Sequence, residues 1–433
     1  MEDILSQARN VAEEAEVYMI SSEETPVQFE ANRLKHIQSK QNTLVALRII
    51  RQGRIGYATA TGLGNGGNLV NMAVETAQFG MDARFEFPSL MSYPPVEVFD
   101  TDVVAVSIEE MVGLGESLIA KLRIHTPDLV CHVGVSKGVL STSIINSRGG
   151  QANYKQSFFS LGVGANLIRG TDILFVGENQ SSCRSIPEAS GVAEVALQQL
   201  ERARVHASAP SRSLPAVFMP HGVAGALIAS LMSAFNGKMV LQGASPLGDK
   251  LGQSVFDKKF WLWDDPTIAY RPASRPCDDE GIPSKRIPLI EGGVVRSFLY
   301  DLQTAALAHT SSTGNAGRGR GRLPAPLPTA FVIVPGRATF EEMVGDMKEG
   351  LVIEEVIGAE QGNILGGDFS GNVLLGYKVE SGKIVGRVKN TMVSGNVYQL
   401  LKNITAIGSD ARWVGSSLYT PSLYFSSLSI ASK

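Results

Sequence analysis

Six histidines and three cysteines are the side chains of this sequence best suited to a transition metal, and their spacing decides whether metal chemistry is encoded locally. A catalytic zinc takes three protein ligands and keeps a fourth position open, and two histidines four apart on one helix supply two of the three on one face. Four residues after His36, His125, His132, His206, His221 and His309 stand Lys40, Leu129, Ser136, Pro210, Gly225 and Thr313. No helical pair exists. His221 has the best functional position, at a strand-to-helix joint in PAVFMPHGVAGALIASLMSAF (Pro215 to Phe235). It is a candidate for contact with substrate or a partner subunit, against the plainer reading of a packing or capping histidine. One histidine cannot build a three-ligand site, and the residue after it is Gly222 rather than a glutamate.

Other constellations are weaker. Cys131 and His132 fall in LVCHVGV, which reads as a strand, so their side chains point to opposite faces and cannot share an ion. Arg318, Arg320 and Arg322, in SSTGNAGRGRGRLPAP, place three guanidinium groups in what reads as a flexible loop. Such groups pair bidentately with carboxylates and suit an acidic peptide or a partner's acidic patch; the alternative is a solvated loop. No aromatic residue in the stretch offers a base a stacking platform, which argues against nucleic acid. Asp278, Asp279 and Glu280 are consecutive, diverge in direction and read as a turn or solvated edge. Asp368, in a glycine-rich turn, is expected to bond the backbone two residues on. Gly62 to Gly67 fits G-x-G-x-x-G between a strand and a helix. The strand before it alternates, however, and no strand ending in an acid follows about 20 residues on, so it reads as an ordinary turn. No catalytic residue, metal ligand or cofactor is assigned to this chain.

The elements that position these residues follow from periodicity. VQFEA, TLVALRII and RIGYATA alternate as strands and lead through a glycine-rich turn to a helix over NLVNMAVETAQFG. The order recurs from Leu129 with LVCHVGV, GVLSTSIINS, ANYKQSFFSLGVGANLI and TDILFVGEN, then a helix over 191–205. The expected fold is α+β: an N-terminal antiparallel sheet with helices, built from two similar strand-helix units, over residues 1–208. The Pro/Ser-rich ARVHASAPSRSLP marks the boundary to a mainly β, sandwich- or barrel-like domain over 209–433, interrupted by helices at 223–236, 340–349 and 395–403.

With 433 residues, 44% of them hydrophobic, and a net charge of −3, the chain can fill more than one core and has no field drawing it to nucleic acid or anionic membrane. The opening MEDILSQARNVAEEAEV reads as an amphipathic helix with acidic residues, not a basic-apolar leader, and no apolar run spans a bilayer. A cytoplasmic setting is the simplest expectation.

The C-terminal run ILGGDFSGNVLLGYKVESGKIVGRVKNTMVSGNVYQLLKNITAIGSD (Ile364 to Asp410) and TPSLYFSSLSIAS (Thr420 to Ser432) resembles the end of the TldD/TldE (PmbA) metallopeptidase family. AEVYMIS, ALRIIRQGRIGYATATG, NSRGGQANYKQSFFSLGV and DDEGIPSKRIPLIEGGVVRSFLYD extend the resemblance over nearly the whole chain. In that family a TldD-type subunit carries His-Glu-x-x-x-His and a late cysteine as zinc ligands, and a TldE-type subunit lacks them. At the matching helix this chain has His221, Gly222 and, at the second histidine's place, Gly225 to Ala226; no cysteine follows Cys277. It therefore resembles TldE. The resemblance implies a non-catalytic subunit of a metalloprotease that cleaves unfolded or short peptides. The zinc would sit in a TldD-type partner, whether the assembly is a heterodimer or the chain also pairs with itself. Two other readings stand beside it: an autonomous homodimeric peptidase with a site of ligands distant in sequence, and a stand-alone peptide-binding or regulatory protein.

Overall fold

The computed structural model describes residues 1–62, 66–319 and 322–432. Helix α1 (Glu2–Arg9) ends early, and the acidic stretch expected to prolong it enters strand β1 (Glu14–Glu30) instead. There Ala15 and Val17 are buried between flanking strands, so tertiary pairing overrides local helix preference. Strands β2 (Arg33–Ile37), β3 (Lys40–Arg51) and β4 (Arg54–Thr61) and helices α2 (Gly66–Ala77), α3 (Thr101–Ala105) and α4 (Ile108–His125) follow. Then come β5 (Val130–Asn146), β6 (Gln151–Arg169), β7 (Asp172–Ser182) and helix α5 (Ser190–Arg202). The glycine motif from Gly62 lies partly outside the described residues.

The strand order β4-β3-β1-β5-β6-β7, with β2 appended to β1, sets the two similar units side by side as the halves of one sheet. Each half is an antiparallel meander preceded and followed by helices, and the halves meet where β1 and β5 run antiparallel from Glu16↔Asn146 to Phe29↔Val133. Helices α1 and α2 cover the first half over Val17, Leu47 and Ile49. Helices α4 and α5 cover the second, whose core continues into the C-terminal half through Val217, Val352 and Tyr377. As the alternation required, Cys131 is buried and His132 exposed.

In the C-terminal half, strand β8 (Ser213–Phe218) pairs in parallel with Glu349–Ile357 and antiparallel with Leu423–Ser432. The latter pairs with Thr391–Asn396, which pairs with Asp368–Glu380, which returns to Glu349–Ile357. These five strands close a barrel, which removes their edges. Phe218, Leu351, Phe369, Val393 and Phe425 are buried in its core. The helix expected over 223–236 is two short ones, α6 (Pro220–Ala226) and Ile228–Ala234, and a further helix at Leu302–Leu307 lies where none was expected. Asp368 accepts from the Asn396 side chain at 2.8 Å rather than from its own turn. No helix among the described residues is long and apolar enough to cross a membrane.

Two expectations about charge are overturned here. Arg318 is not solvated: its side chain is 1% exposed and ion-paired with Glu16 of β1. Asp278 and Glu280 do not mark a solvated edge, being 0% exposed; Arg48 of β3 bridges Glu280 at 2.5 Å and Glu16 at 3.1 Å, and Arg275 pairs with Asp279 at 3.1 Å. The turn survives, since Asp278 accepts from the amides of Glu280 and Ile282. Buried charge persists only when paired, and the Arg48–Glu280 and Arg318–Glu16 pairs fasten the N-terminal sheet to the C-terminal half. Burial, joined by Asp301, Asp278 and Glu16, raises the Glu280 carboxyl above its ordinary value against the pull of Arg48. A carboxyl that holds its proton more tightly when folded stabilises fully below its unfolded pKa and loses that contribution as pH rises through the folded one. Urea unfolding of the wild type is therefore expected to show stability falling as pH rises above the ordinary carboxylate range, and Glu280→Gln to flatten that fall.

Candidate functional site

Pro220 opens α6 at its first turn, where its missing amide costs nothing, and sets His221 one residue later facing the end of β7. His221 Nε2 lies 3.0 Å from Glu178 Oε1. Arg412 Nη1 lies 3.0 Å from Glu178 Oε2, and its Nη2 lies 3.6 Å from Glu354 Oε1. Arg202, at the end of α5, stands 3.8 Å from Glu354 Oε2. His221, Glu178, Arg412, Glu354 and Arg202 thus form one chain of alternating basic and acidic side chains. Burial alone would raise the Glu178 carboxyl, but the His221 hydrogen bond and Arg412 hold it below its ordinary value. Burial outweighs Arg412 and Arg202 at Glu354, whose carboxyl is raised. Glu355 beside it is raised by burial as well.

This arrangement compensates charge; it does not gather ligands. Helix α6 lies so close to Glu349–Ile357 that a Cβ at Gly222 would stand 2.6 Å from the carbonyl oxygen of Ile353, and one at Gly225 would stand 2.9 Å from that of Val356. The family motif's glutamate therefore has no room at position 222. The only histidine on α6 is bonded to a carboxylate, and no group of three His, Cys, Asp or Glu among the described residues is placed to hold an ion. The residues present do not fit a zinc.

Two cavities flank the chain of charges. One, of about 830 Å³, is lined by His132, Glu178, His221, Glu355 and the open face of β5, β6 and β7. The other, of about 620 Å³, shares with it the wall 178–181. β7 ends its sheet, and Gln199 of α5 stoppers part of the outer edge by pairing with both the amide and the carbonyl of Gly177, at 2.8 and 3.1 Å.

Of the candidate contact residues, His221 is placed at a cavity, and His132, set aside by the strand argument, lines the same one. Neither Arg318 nor Arg322 lines either cavity; Arg322 is exposed with its carbonyl accepting from the Tyr57 hydroxyl at 2.7 Å, and Arg320 lies outside the described residues. Sequence reasoning missed Glu178, Glu354 and Arg412. A signal existed for one of them: Glu354 and Glu355 interrupt the apolar GLVIEEVIG, and a carboxylate inside a buried strand calls for a cation.

Residues 211–432 match the family model of the PmbA/TldA metallopeptidase C-terminal domain, and residues 15–77 that of PmbA/TldA metallopeptidase domain 1. An uncharacterized protein of Methanocaldococcus jannaschii is 27% identical over 420 residues, covering 95% of each chain. A metalloprotease of Methanothermobacter thermautotrophicus is 25% identical over 428 residues, covering 94% of this chain and 91% of its own. The crystal structure of TldE from Thermococcus kodakarensis superposes with a TM-score of 0.88 at 22% identity, covering 100% of this chain and 99% of the other; at that identity it speaks for the fold.

Proposed function

The chain belongs to the PmbA/TldD metallopeptidase family, and on that premise we propose that it is the zinc-less, TldE-like subunit of a cytoplasmic metalloprotease. The observation that carries the proposal is the packing of α6: Gly222 and Gly225 bring the helix against the barrel, and His221 is spent on Glu178. In this reading a TldD-type partner would hold the zinc, and the chemistry it would supply is polarisation of a carbonyl and activation of water. This chain supplies wall and docking surface. An unfolded or short peptide would add as a strand along the free part of the β7 edge beyond Gln199, beside the two cavities, where main-chain hydrogen bonds give affinity without demanding a sequence.

The test is reconstitution. The isolated chain is expected to hydrolyse no unfolded peptide, to hold less than about a tenth of a zinc ion per chain when purified without chelators, and to restore proteolysis when mixed with a TldD-type subunit. Robust hydrolysis by the chain alone would overturn the reading in favour of an autonomous peptidase. Size-exclusion mass with and without the partner separates heterodimer from homodimer.

A further inference from the structure

The smaller cavity contains a cation that the chain of charges does not use. Arg271 lines it, half-buried, with its guanidinium carbon 4.8 Å from the centre of the Trp413 ring. Among the described residues its guanidinium has no carboxylate partner; burial pulls its pKa down, and only Cys183 and Tyr419 act the other way. Glu178 is the one acid in the lining, and it is already taken by Arg412 and His221 at 3.0 Å each. Beside Trp413, the wall has an apolar and aromatic part in Ile268, Val332 and Tyr419 and a polar part in Asn179, Gln180, Ser181 and Arg412, the last already engaged with Glu178.

A half-buried guanidinium without a counter-ion is an unmet demand for an anion, and its planar fork matches a carboxylate. Stacking on an indole holds that fork in place without satisfying its hydrogen bonds. Apolar and aromatic walls with a few convergent polar groups are the usual makeup of a site for a small amphipathic ligand. We propose that this cavity binds the carboxylate of an acylated apolar or aromatic amino acid, the chemistry presented by the C-terminal residue of a peptide. Arg271 takes the carboxylate, and Trp413, Tyr419, Ile268 and Val332 take the side chain. The shared wall 178–181 places the cavity beside the free part of the β7 edge, so a peptide paired there has its terminus within reach. The inference rests on the peptide-handling reading for the natural ligand, though not for the binding itself.

The test titrates the isolated full-length chain with N-acetyl-phenylalanine, N-acetyl-phenylalaninamide and Ala-Ala-Phe, read by calorimetry and by fluorescence of its three tryptophans. The acid is expected to bind and the amide to bind about tenfold or more weakly, as when a charge-assisted pair is lost. Arg271→Gln is expected to remove that preference. Equal binding of acid and amide, or no saturation by either at about 10 mM, where a site of useful affinity would already be filled, overturns the proposal, and this comparison holds on the wild type even if the variant fails to fold. Ala-Ala-Phe binding at least as well as the acetylated residue supports a peptide terminus; binding of the acetylated residue alone overturns the peptide assignment in favour of a small-metabolite site. Because no partner and no proteolysis enter, a negative result leaves the reconstitution result standing, and failed reconstitution leaves this binding standing.

Discussion

Arg48→Ala is expected to destabilise the protein by about 3–5 kcal/mol, the cost of removing one partner from a buried ion pair. Arg48 is 2% exposed and touches two carboxylates that are 0% exposed, Glu16 and Glu280. Its guanidinium carbon also lies 4.8 Å from the centre of the Phe85 ring and 4.9 Å from that of Phe87, so no water can enter to replace it without disturbing both rings. Glu16 would keep Arg318; Glu280 would keep only the Leu302 amide at 2.7 Å. Urea denaturation measures the loss, and the Arg48→Met, Glu280→Gln double variant is expected to recover much of it, since both uncompensated charges go together. A cost for Arg48→Ala no greater than that of a surface substitution, about 0.5 kcal/mol, would show that these pairs do not fasten the two halves.

Gly222→Ala is expected to cost about 2–3 kcal/mol, toward the upper end for overpacking a close contact. The added methyl meets a backbone carbonyl, that of Ile353, which is held in the barrel and cannot rotate aside as a side chain would. Chemical denaturation checks the size, and a full-length metal analysis of Gly222→Glu, Ala226→His checks the chemistry. Copying the missing motif residues into α6 is expected to yield an unstable protein with no stoichiometric zinc. A stable, zinc-loaded variant would mean that helix and barrel separate more readily than their packing implies.

How far the sequence went depends on the distance over which each feature is written. The strands, the α2 helix and the doubled N-terminal unit are local patterns of period two and 3.6, and the structure keeps them. His221 at a helix start followed by glycine was equally local. Arg318 was misplaced because its glycine-rich surroundings look solvated, while the residue that pulls it inside, Glu16, belongs to the first strand of the chain. Glu178 and Arg412 failed for the same reason: each sits in an unremarkable segment and acquires meaning only from the other. Closure of the barrel was open as sandwich or barrel, because it depends on pairing between Glu349–Ile357 and both of its neighbours, which no single strand announces.

That closure has a consequence for synthesis. The ring is completed when Leu423 to Phe425 pair with Ala216 to Phe218, partners about 200 residues apart, whereas the N-terminal meander pairs largely between successive strands. Non-local pairing is slow and late. As the chain leaves the ribosome the first sheet has all its strands in hand, while β8 waits with its apolar side chains and an unpaired edge until Leu423 to Phe425 are made. In that interval the nascent half-barrel exposes apolar surface and an unpaired strand edge, the features that make partly folded chains prone to aggregate.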